Sequence, residues 1–168
     1  GGMRRDQMPD LLEGSDVVGE VQSARADLGL PSTCKVIAGG ADNAVAACGV
    51  GALGEGQGFV SLGTSGVVLA GRDTYAPLPA SAVHTFCHAV PARWYQMGVV
   101  LAATDSLNWL SRVTGQSAQA LSEGAGDVLH APGAVKFYPY LSGERTPHND
   151  AHVRGGLTGL DVASGPAD

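Results

Sequence analysis

The fold class follows from residues 34–47, which read CKVIAGGADNAVAA. The apolar run Cys34–Ala38 is typical of a buried strand, and the two glycines after it allow the backbone to turn sharply. Asp42 then opens a stretch of small residues that predicts a helix. A strand that passes through a tight turn into a helix indicates an α/β domain.

The segments on either side of this unit predict hairpins rather than a purely parallel sheet. Residues 58–62 and 67–71 flank a glycine-bounded turn, and residues 85–90 and 94–99 form a second extended pair. Apolar residues at helical spacing, followed by Gly115, predict an amphipathic helix over 100–114. The remaining segments predict extended runs at 17–21 and 135–138, helices at 23–29 and 117–125, a polar loop at 139–154 and a strand from residue 155. We therefore expect an α/β domain with a mixed sheet, hairpins and flanking helices.

The amino-acid composition limits the kinds of partner that the protein can bind. Of 168 residues, 25 are glycine, but a hydrophobic share of 44% excludes a disordered glycine-rich linker. Lys and Arg number 10 against 16 Asp and Glu, and the net charge of −6 argues against binding to nucleic acid or to an anionic membrane surface. No stretch approaches the roughly 18 apolar residues of a membrane span. We expect neither nucleic acid nor a membrane as a partner.

The cysteines and histidines do not predict a metal site. Cys34, Cys48 and Cys87 are widely spaced in apolar runs, whereas a disulfide framework or a zinc site would need closer pairing. They are predicted to be buried thiols in a reducing compartment, which favours a cytoplasmic protein. His84 and His88 lie four residues apart in a predicted strand, where their Cα atoms would be about 13 Å apart. We expect ordinary half-buried histidines that share no metal.

Asp42 and Asn43 have two interpretations. As a general base, the Asp42 carboxylate would take a proton from a substrate hydroxyl, and Asn43 would hydrogen-bond the same ligand. As a helix cap, Asp42 would accept the unpaired N–H groups of the first turn, a role for which Asp is a preferred residue. Position alone favours the cap.

The turn Gly63-Thr64-Ser65-Gly66 also has two interpretations. Its amides and two hydroxyls carry little side-chain bulk, which suits phosphate oxygens that approach the backbone. An ordinary hairpin turn would use similar residues. The spacing excludes a Gly-x-Ser-x-Gly nucleophile elbow, and without a following Lys it excludes the Walker A pattern.

Taken together, three segments resemble the FGGY family of carbohydrate kinases. They are residues 39–44 (GGADNA), 61–66 (SLGTSG) and 140–148 (YLSGERTPH), supported by the run 82–89 (AVHTFCHA). Within the family the likeness is greatest to members that phosphorylate D-xylulose. The resemblance implies part of a ribonuclease H-like, actin-like ATPase fold, and a reaction that uses ATP and Mg²⁺.

The same resemblance implies roles for individual residues. Asp42 stands where the family places its catalytic base, and Asn43 stands beside it at the sugar site. The positions that match the family's nucleotide site are Gly63, Thr64 and Ser65 in the hairpin and, by a looser likeness to glycerol-phosphorylating members, Thr104 and Asn108. No residue is assigned to the metal.

The resemblance also implies a division of the chain. Residues 1–38 match the end of an N-terminal domain or a linker, and residues 39–168 match the first part of a C-terminal kinase domain, which is truncated. The family's N-terminal phosphate motif and its later adenosine segment are absent from the sequence, so we expect the isolated chain to be catalytically inactive. Apolar surface exposed where further segments would pack could join two copies as a homodimer.

Two other functions stay open at this point. The chain could belong to a kinase for another sugar or polyol, such as glycerol or gluconate, because those kinases share the hairpin. It could also be a non-catalytic binding or assembly module. The presence of Asp42 and of the 63–66 turn speaks for an active kinase, and residues 142–147 and 83–89 favour D-xylulose.

Overall fold

The computed structural model describes residues 2–21, 27–128 and 131–165. The predicted helix at 23–29 lies largely outside them. The strands are β1 Val17–Glu20, β2 Lys35–Ile37, β3 Gly58–Leu62, β4 Gly66–Arg72, β5 His84–Cys87, β6 Trp94–Val100, β7 Lys136–Tyr138 and β8 Gly156–Thr158. The helices are α1 Asp42–Gly49, α2 Thr104–Thr114 and α3 Ala118–Gly124.

The strands form three sheets, and the two predicted hairpins lie in the largest, where β3 neighbours β4 and β5 neighbours β6. β1 pairs with β2 in antiparallel register, with Val17 opposite Ile37 and Glu20 opposite Lys35. β3, β4, β6 and β5 form a four-stranded sheet in that order. β7 and β8 form a further antiparallel pair. The mixed α/β architecture with flanking helices is confirmed.

The described residues group into two compact units. The first unit draws on the chain up to Phe59, on Ala70–Ala76 and on Thr85–Tyr95. The second draws on Val60–Leu69, on Pro77–His84 and on the chain from Gln96 onward. The division at residue 38 stays a prediction.

The core of the first unit is built on small residues. Ala44 and Ala47 of α1 are 2% and 0% exposed, and Ala52 and Tyr95 are buried in the same unit. The prediction that the run Cys34–Ala38 is a buried strand is wrong, because Ile37 is 54% exposed. β2 pairs with β1 in a two-stranded sheet and does not lie inside a larger one.

The prediction of buried thiols is also wrong for two of the three cysteines. Cys48 and Cys87 are exposed, and Cys34 is intermediate. Helix geometry explains Cys48, which follows the fully buried Ala47 and is therefore rotated about 100° away from the packed face.

In the second unit, Leu69, Val99, Ala102 and Leu121 are buried. α2 begins at Thr104, four residues later than the sequence predicts, because β6 continues to Val100. It ends as predicted at Gly115, which adopts a φ of 71° and donates its N–H to Ser111 O at 3.0 Å. No helix in the described ranges is long and apolar enough to cross a bilayer.

Candidate active site

The turn before α1 depends on three segments of the first unit that approach closely. Gly39 has a φ of 77°, a backbone conformation that favours glycine, and its N–H donates to Gly14 O at 3.0 Å. A Cβ on Gly14 would lie 2.6 Å from Ala89 O and 2.9 Å from Gly39 O. A Cβ on Gly40 would lie 3.1 Å from the Cβ of Ala89. The turn therefore needs glycine at positions 14 and 39.

Asp42 is the first residue of α1, as the sequence predicts, and its side chain is exposed. Its Oδ1 accepts the backbone N–H of Asn43 at 2.7 Å and the Asn43 side-chain amide at 3.3 Å. The capping position belongs to Ala41, which makes no side-chain cap bond. The carboxylate thus bonds only to the adjacent residue among the described residues, and it stays open to solvent.

A tyrosine that the sequence does not single out lies within electrostatic reach of Asp42. The Tyr95 side chain is 3% exposed and packs against the rings of Phe86 and His88 at centroid distances of 5.6 and 6.2 Å. Burial raises the pKa of Tyr95, and the charges of Asp42 and Cys87 raise it further. A buried aromatic residue in a strand gives no sequence signal that separates this position from an ordinary core residue.

A cleft of about 490 Å³ lies beside the turn in the first unit. Its lining includes Gly39, Gly40 and Ala41 of the turn, the acidic residues Glu13 and Asp16, the apolar residues Leu11 and Leu12, and the segment 87–89. Carboxylates beside small residues at one cleft suit a ligand with hydroxyl groups, because a carboxylate accepts hydrogen bonds from them.

His88 is more deeply buried than the half-buried histidine that the sequence predicts, and both ring nitrogens bond to backbone groups. The ring is 4% exposed, and its Nδ1 accepts the N–H of Val90 at 3.0 Å. The other nitrogen, Nε2, therefore carries the hydrogen and donates it to Ala52 O at 3.2 Å. No group of three or more His, Cys, Asp or Glu in the described part of the chain could hold a metal ion.

The hairpin turn Gly63–Ser65 lies in the second unit and binds the start of α2 through its backbone. Gly63 O accepts the N–H of Thr104 at 3.0 Å, and Thr64 O accepts the N–H of Ala103 at 2.9 Å. The Ser65 hydroxyl donates to Leu101 O at 3.1 Å. Because the first N–H groups of a helix have no partner within it, the turn caps α2 with backbone oxygens. No capping side chain is present at Ala103.

The two helix positions assigned to the nucleotide differ in their contacts. The Thr104 hydroxyl donates to Gly63 O at 2.7 Å and thereby adds a second bond to the turn. Asn108 lies one turn further along α2 and is exposed. The structure thus joins Gly63, Ser65 and Thr104 in one hydrogen-bonded group. Asp42 and Asn43 form a second group in the first unit.

The chain is similar to known proteins over nearly its whole length. The model of the C-terminal domain of the FGGY family of carbohydrate kinases matches residues 58–168. Over 165 residues the chain is 45% identical to xylulose kinase of Escherichia coli (strain K12), and over 167 residues it is 44% identical to xylulose kinase of Klebsiella pneumoniae. These matches cover 98% and 99% of this chain but 34% and 35% of the relatives, so the chain spans about a third of their length.

A solved structure gives the same result for the fold. The crystal structure of a "xyloylose kinase" from Brucella ovis matches with a TM-score of 0.92 and 47% identity. The match covers 99% of this chain and 34% of that one. The fold of the sugar kinases, which is ribonuclease H-like and actin-like, is thereby confirmed for the part of it that this chain contains.

Proposed function

The chain belongs to the FGGY family of carbohydrate kinases, and on that premise we propose that it is part of an ATP-dependent kinase that converts D-xylulose to D-xylulose 5-phosphate. The observation that carries this proposal is an identity of 44% to 47%, over nearly the whole chain, to proteins named as kinases of this sugar. Sugar kinase is the general assignment, and D-xylulose as the sugar is the more specific part of the proposal.

In the proposed reaction Asp42 is the catalytic base. Its carboxylate accepts the proton of the sugar's terminal hydroxyl while that oxygen attacks the γ-phosphorus of ATP, and the bond from this phosphorus to the oxygen that bridges it to the β-phosphate breaks, so that ADP leaves. Asn43, whose side-chain amide already contacts the carboxylate, orients it and binds the sugar. The exposed position of Asp42 at the first turn of α1 supports this role, because a base must reach its substrate.

The nucleotide is proposed to bind at the hairpin and the start of α2. Gly63, Thr64 and Ser65 are exposed, and the bonds that fix the turn to α2 use its carbonyl oxygens and the Ser65 hydroxyl. The N–H of Gly63 donates to Ser65 O at 3.0 Å, so the amides of Thr64 and Ser65 are the ones proposed to bind phosphate oxygens, and the N-terminal end of α2 favours negative charge. Thr104 and Asn108 are the proposed helix contributions to the same site.

Mg²⁺ is proposed to enter with ATP. The described residues contain no cluster of three or more acidic, histidine or cysteine side chains. Mg²⁺ in nucleotide sites is bound largely by phosphate oxygens and water, with one or two carboxylates, and the ion offsets charge on the phosphates. We assign no residue of this chain to it.

Further proposals concern the whole protein. Residues 1–38 are the end of an N-terminal domain or a linker, residues 39–168 begin the C-terminal kinase domain, and the protein is cytoplasmic and a possible homodimer. Because the chain spans about a third of its relatives' length, we propose that the 168 residues alone do not turn over.

The test compares substrates in the full-length protein that contains this chain. ADP release is measured with MgATP and D-xylulose, glycerol or gluconate, and kcat/KM for D-xylulose should exceed the others by about 100-fold. A preference for glycerol or gluconate would assign a different sugar, and sugar binding without ADP release would favour a non-catalytic module. The 168-residue chain, assayed alongside, should release no ADP; turnover at the full-length rate would refute its inactivity.

A further inference from the structure

We propose that Glu144 is a positioning residue for ATP, because its carboxylate holds the segment to which the phosphate-binding hairpin is attached. This inference rests on the proposed kinase function. It assigns a role to the loop at residues 141–150, which the sequence describes only as a polar connection.

Glu144 is a buried carboxylate that accepts hydrogen bonds from two backbone N–H groups. The residue is 2% exposed. Its Oε1 accepts the N–H of Arg145 at 2.7 Å and the N–H of Leu101 at 3.1 Å. A carboxylate is costly to bury unless such bonds compensate for lost water. The bond to Arg145 shapes the loop locally, whereas the bond to Leu101 joins segments 43 residues apart.

Leu101 connects Glu144 to the hairpin. It lies between β6 and α2, where neither element supplies partners for its backbone groups. Its N–H donates to Glu144, and its carbonyl oxygen accepts the Ser65 hydroxyl at 3.1 Å. Two residues further on, Ala103 donates to Thr64 O. The hairpin turn is therefore attached to a short segment that is itself held by Glu144.

The loop is fixed well enough to act as a support. Glu144 and Asp150 exchange two backbone hydrogen bonds, each of 2.9 Å. The N–H of Thr146 donates to Val99 O at 3.2 Å, and the Thr146 hydroxyl accepts the N–H of Val99 at 3.1 Å and donates to Ala82 O at 3.1 Å. Glu144 with Leu101 and Thr146 with Val99 form successive contacts of two segments that run in opposite directions. Residues 144–146 of the loop thus lie antiparallel to residues 99–101 at the end of β6, and the side chains of Glu144 and Thr146 supply two of the hydrogen bonds between them.

Loss of the carboxylate should loosen the hairpin without removing any group that touches ATP. The N–H groups of Leu101 and Arg145 would lose their acceptor in a partly buried place, and the segment would shift to find others. Because phosphoryl transfer depends on how accurately the phosphates are held, a looser hairpin should lower the affinity for ATP and leave the affinity for the sugar unchanged.

The experiment compares three variants of the full-length protein by steady-state kinetics. Glu144→Ala should raise the KM for ATP about tenfold and leave the KM for D-xylulose unchanged. Glu144→Gln keeps one acceptor oxygen and should raise it by only about threefold. Asp150→Ala is the matched control, because the Asp150 carboxylate accepts the N–H of His152 within the same loop. It should leave both KM values unchanged.

Amide hydrogen exchange gives a second readout that needs no turnover. Peptides covering residues 63–65 and 101–104 should exchange faster in both Glu144 variants than in Asp150→Ala, and if the alanine variant does not fold, Glu144→Gln decides alone. Unchanged exchange there, or a KM for ATP that responds equally to the Glu144 and Asp150 variants, would overturn the inference. If the unaltered protein phosphorylates no sugar, the proposed function fails, and the exchange data still decide whether Glu144 holds the hairpin.

Discussion

The turn that carries Asp42 and the hairpin turn at residues 63–65 both lie at the start of a helix, but they are held there differently. The first continues directly into α1, and among the described residues the carboxylate of Asp42 bonds only to its neighbour Asn43. The second caps α2, and the bond from Thr104 to Gly63 O joins residues 41 positions apart in the chain. Both turns rest on backbone contacts with distant segments, but the first presents a side chain held only by its neighbour, whereas the second presents backbone groups that those distant contacts position.

This difference predicts two kinds of response to mutation. Where a side chain does the chemistry, removal of that side chain should abolish the reaction and leave the fold intact. Where backbone groups bind the ligand, no single side chain is essential. A mutation of a residue that holds this backbone in place should therefore lower the affinity for the ligand only in part.

Asp42→Asn should cause the largest loss. Asn keeps the size of Asp and can still accept the Asn43 N–H, but it cannot take the proton of a sugar hydroxyl. In the full-length protein kcat should fall by about 10³-fold, with little change in the melting temperature. Steady-state kinetics and thermal unfolding measure both quantities.

The control for this change is Asp10→Asn, which alters an exposed carboxylate elsewhere in the first unit. It should leave kcat unchanged. Full activity in Asp42→Asn would show that Asp42 is not the catalytic base, and a loss of kcat matched by a loss of stability would show that Asp42 supports the fold of α1.

Gly14→Ala tests the backbone that supports Asp42. The added Cβ would meet two backbone oxygens, Ala89 O at 2.6 Å and Gly39 O at 2.9 Å, and neither can move without displacing its segment. We expect the free energy of unfolding to fall by about 2 kcal/mol, measured by urea denaturation.

The matched control is Gly19→Ala in β1, where a Cβ would meet nothing within 4 Å. It should change the free energy of unfolding by less than about 0.5 kcal/mol. Equal effects of the two alanines would show that the close approach at Gly14 does not limit the turn.

The same division explains what the sequence could predict. The turn and helix around Asp42 were predictable because Gly39, Gly40 and Asp42 carry their conformational preferences in neighbouring positions. The burial of β2 and of Cys48 was predicted incorrectly, because burial depends on which segments pack over a residue. Apolar composition alone cannot report that.

For the candidate site, the motif at residues 63–66 was visible, but its supports were not. Leu101 and Ala103 contribute backbone N–H and carbonyl groups, which every residue except proline possesses, so their identity gives no signal. The α2 start was predicted too early for the same reason, since the backbone groups of Leu101 bond to Glu144 and Ser65 and do not join the helix. Glu144 was visible only as one polar residue in a polar loop.

The smallest effect is expected where one of several backbone-directed bonds is removed from the hairpin. Thr104→Val deletes the hydroxyl that donates to Gly63 O at 2.7 Å, but it keeps the backbone N–H that donates to the same oxygen at 3.0 Å. Thr114→Val removes a comparable bond, from a hydroxyl to Leu110 O at 2.8 Å, at the other end of α2, together with the bond that this hydroxyl accepts from the N–H of Gln116 at 3.3 Å. If the hairpin positions ATP, Thr104→Val should raise the KM for ATP about fivefold in the full-length protein, and Thr114→Val should not change it. Equal KM values for ATP in the two variants would mean that the remaining bonds hold the turn well enough. The two turns would then differ only in that one of them supplies the proposed catalytic side chain.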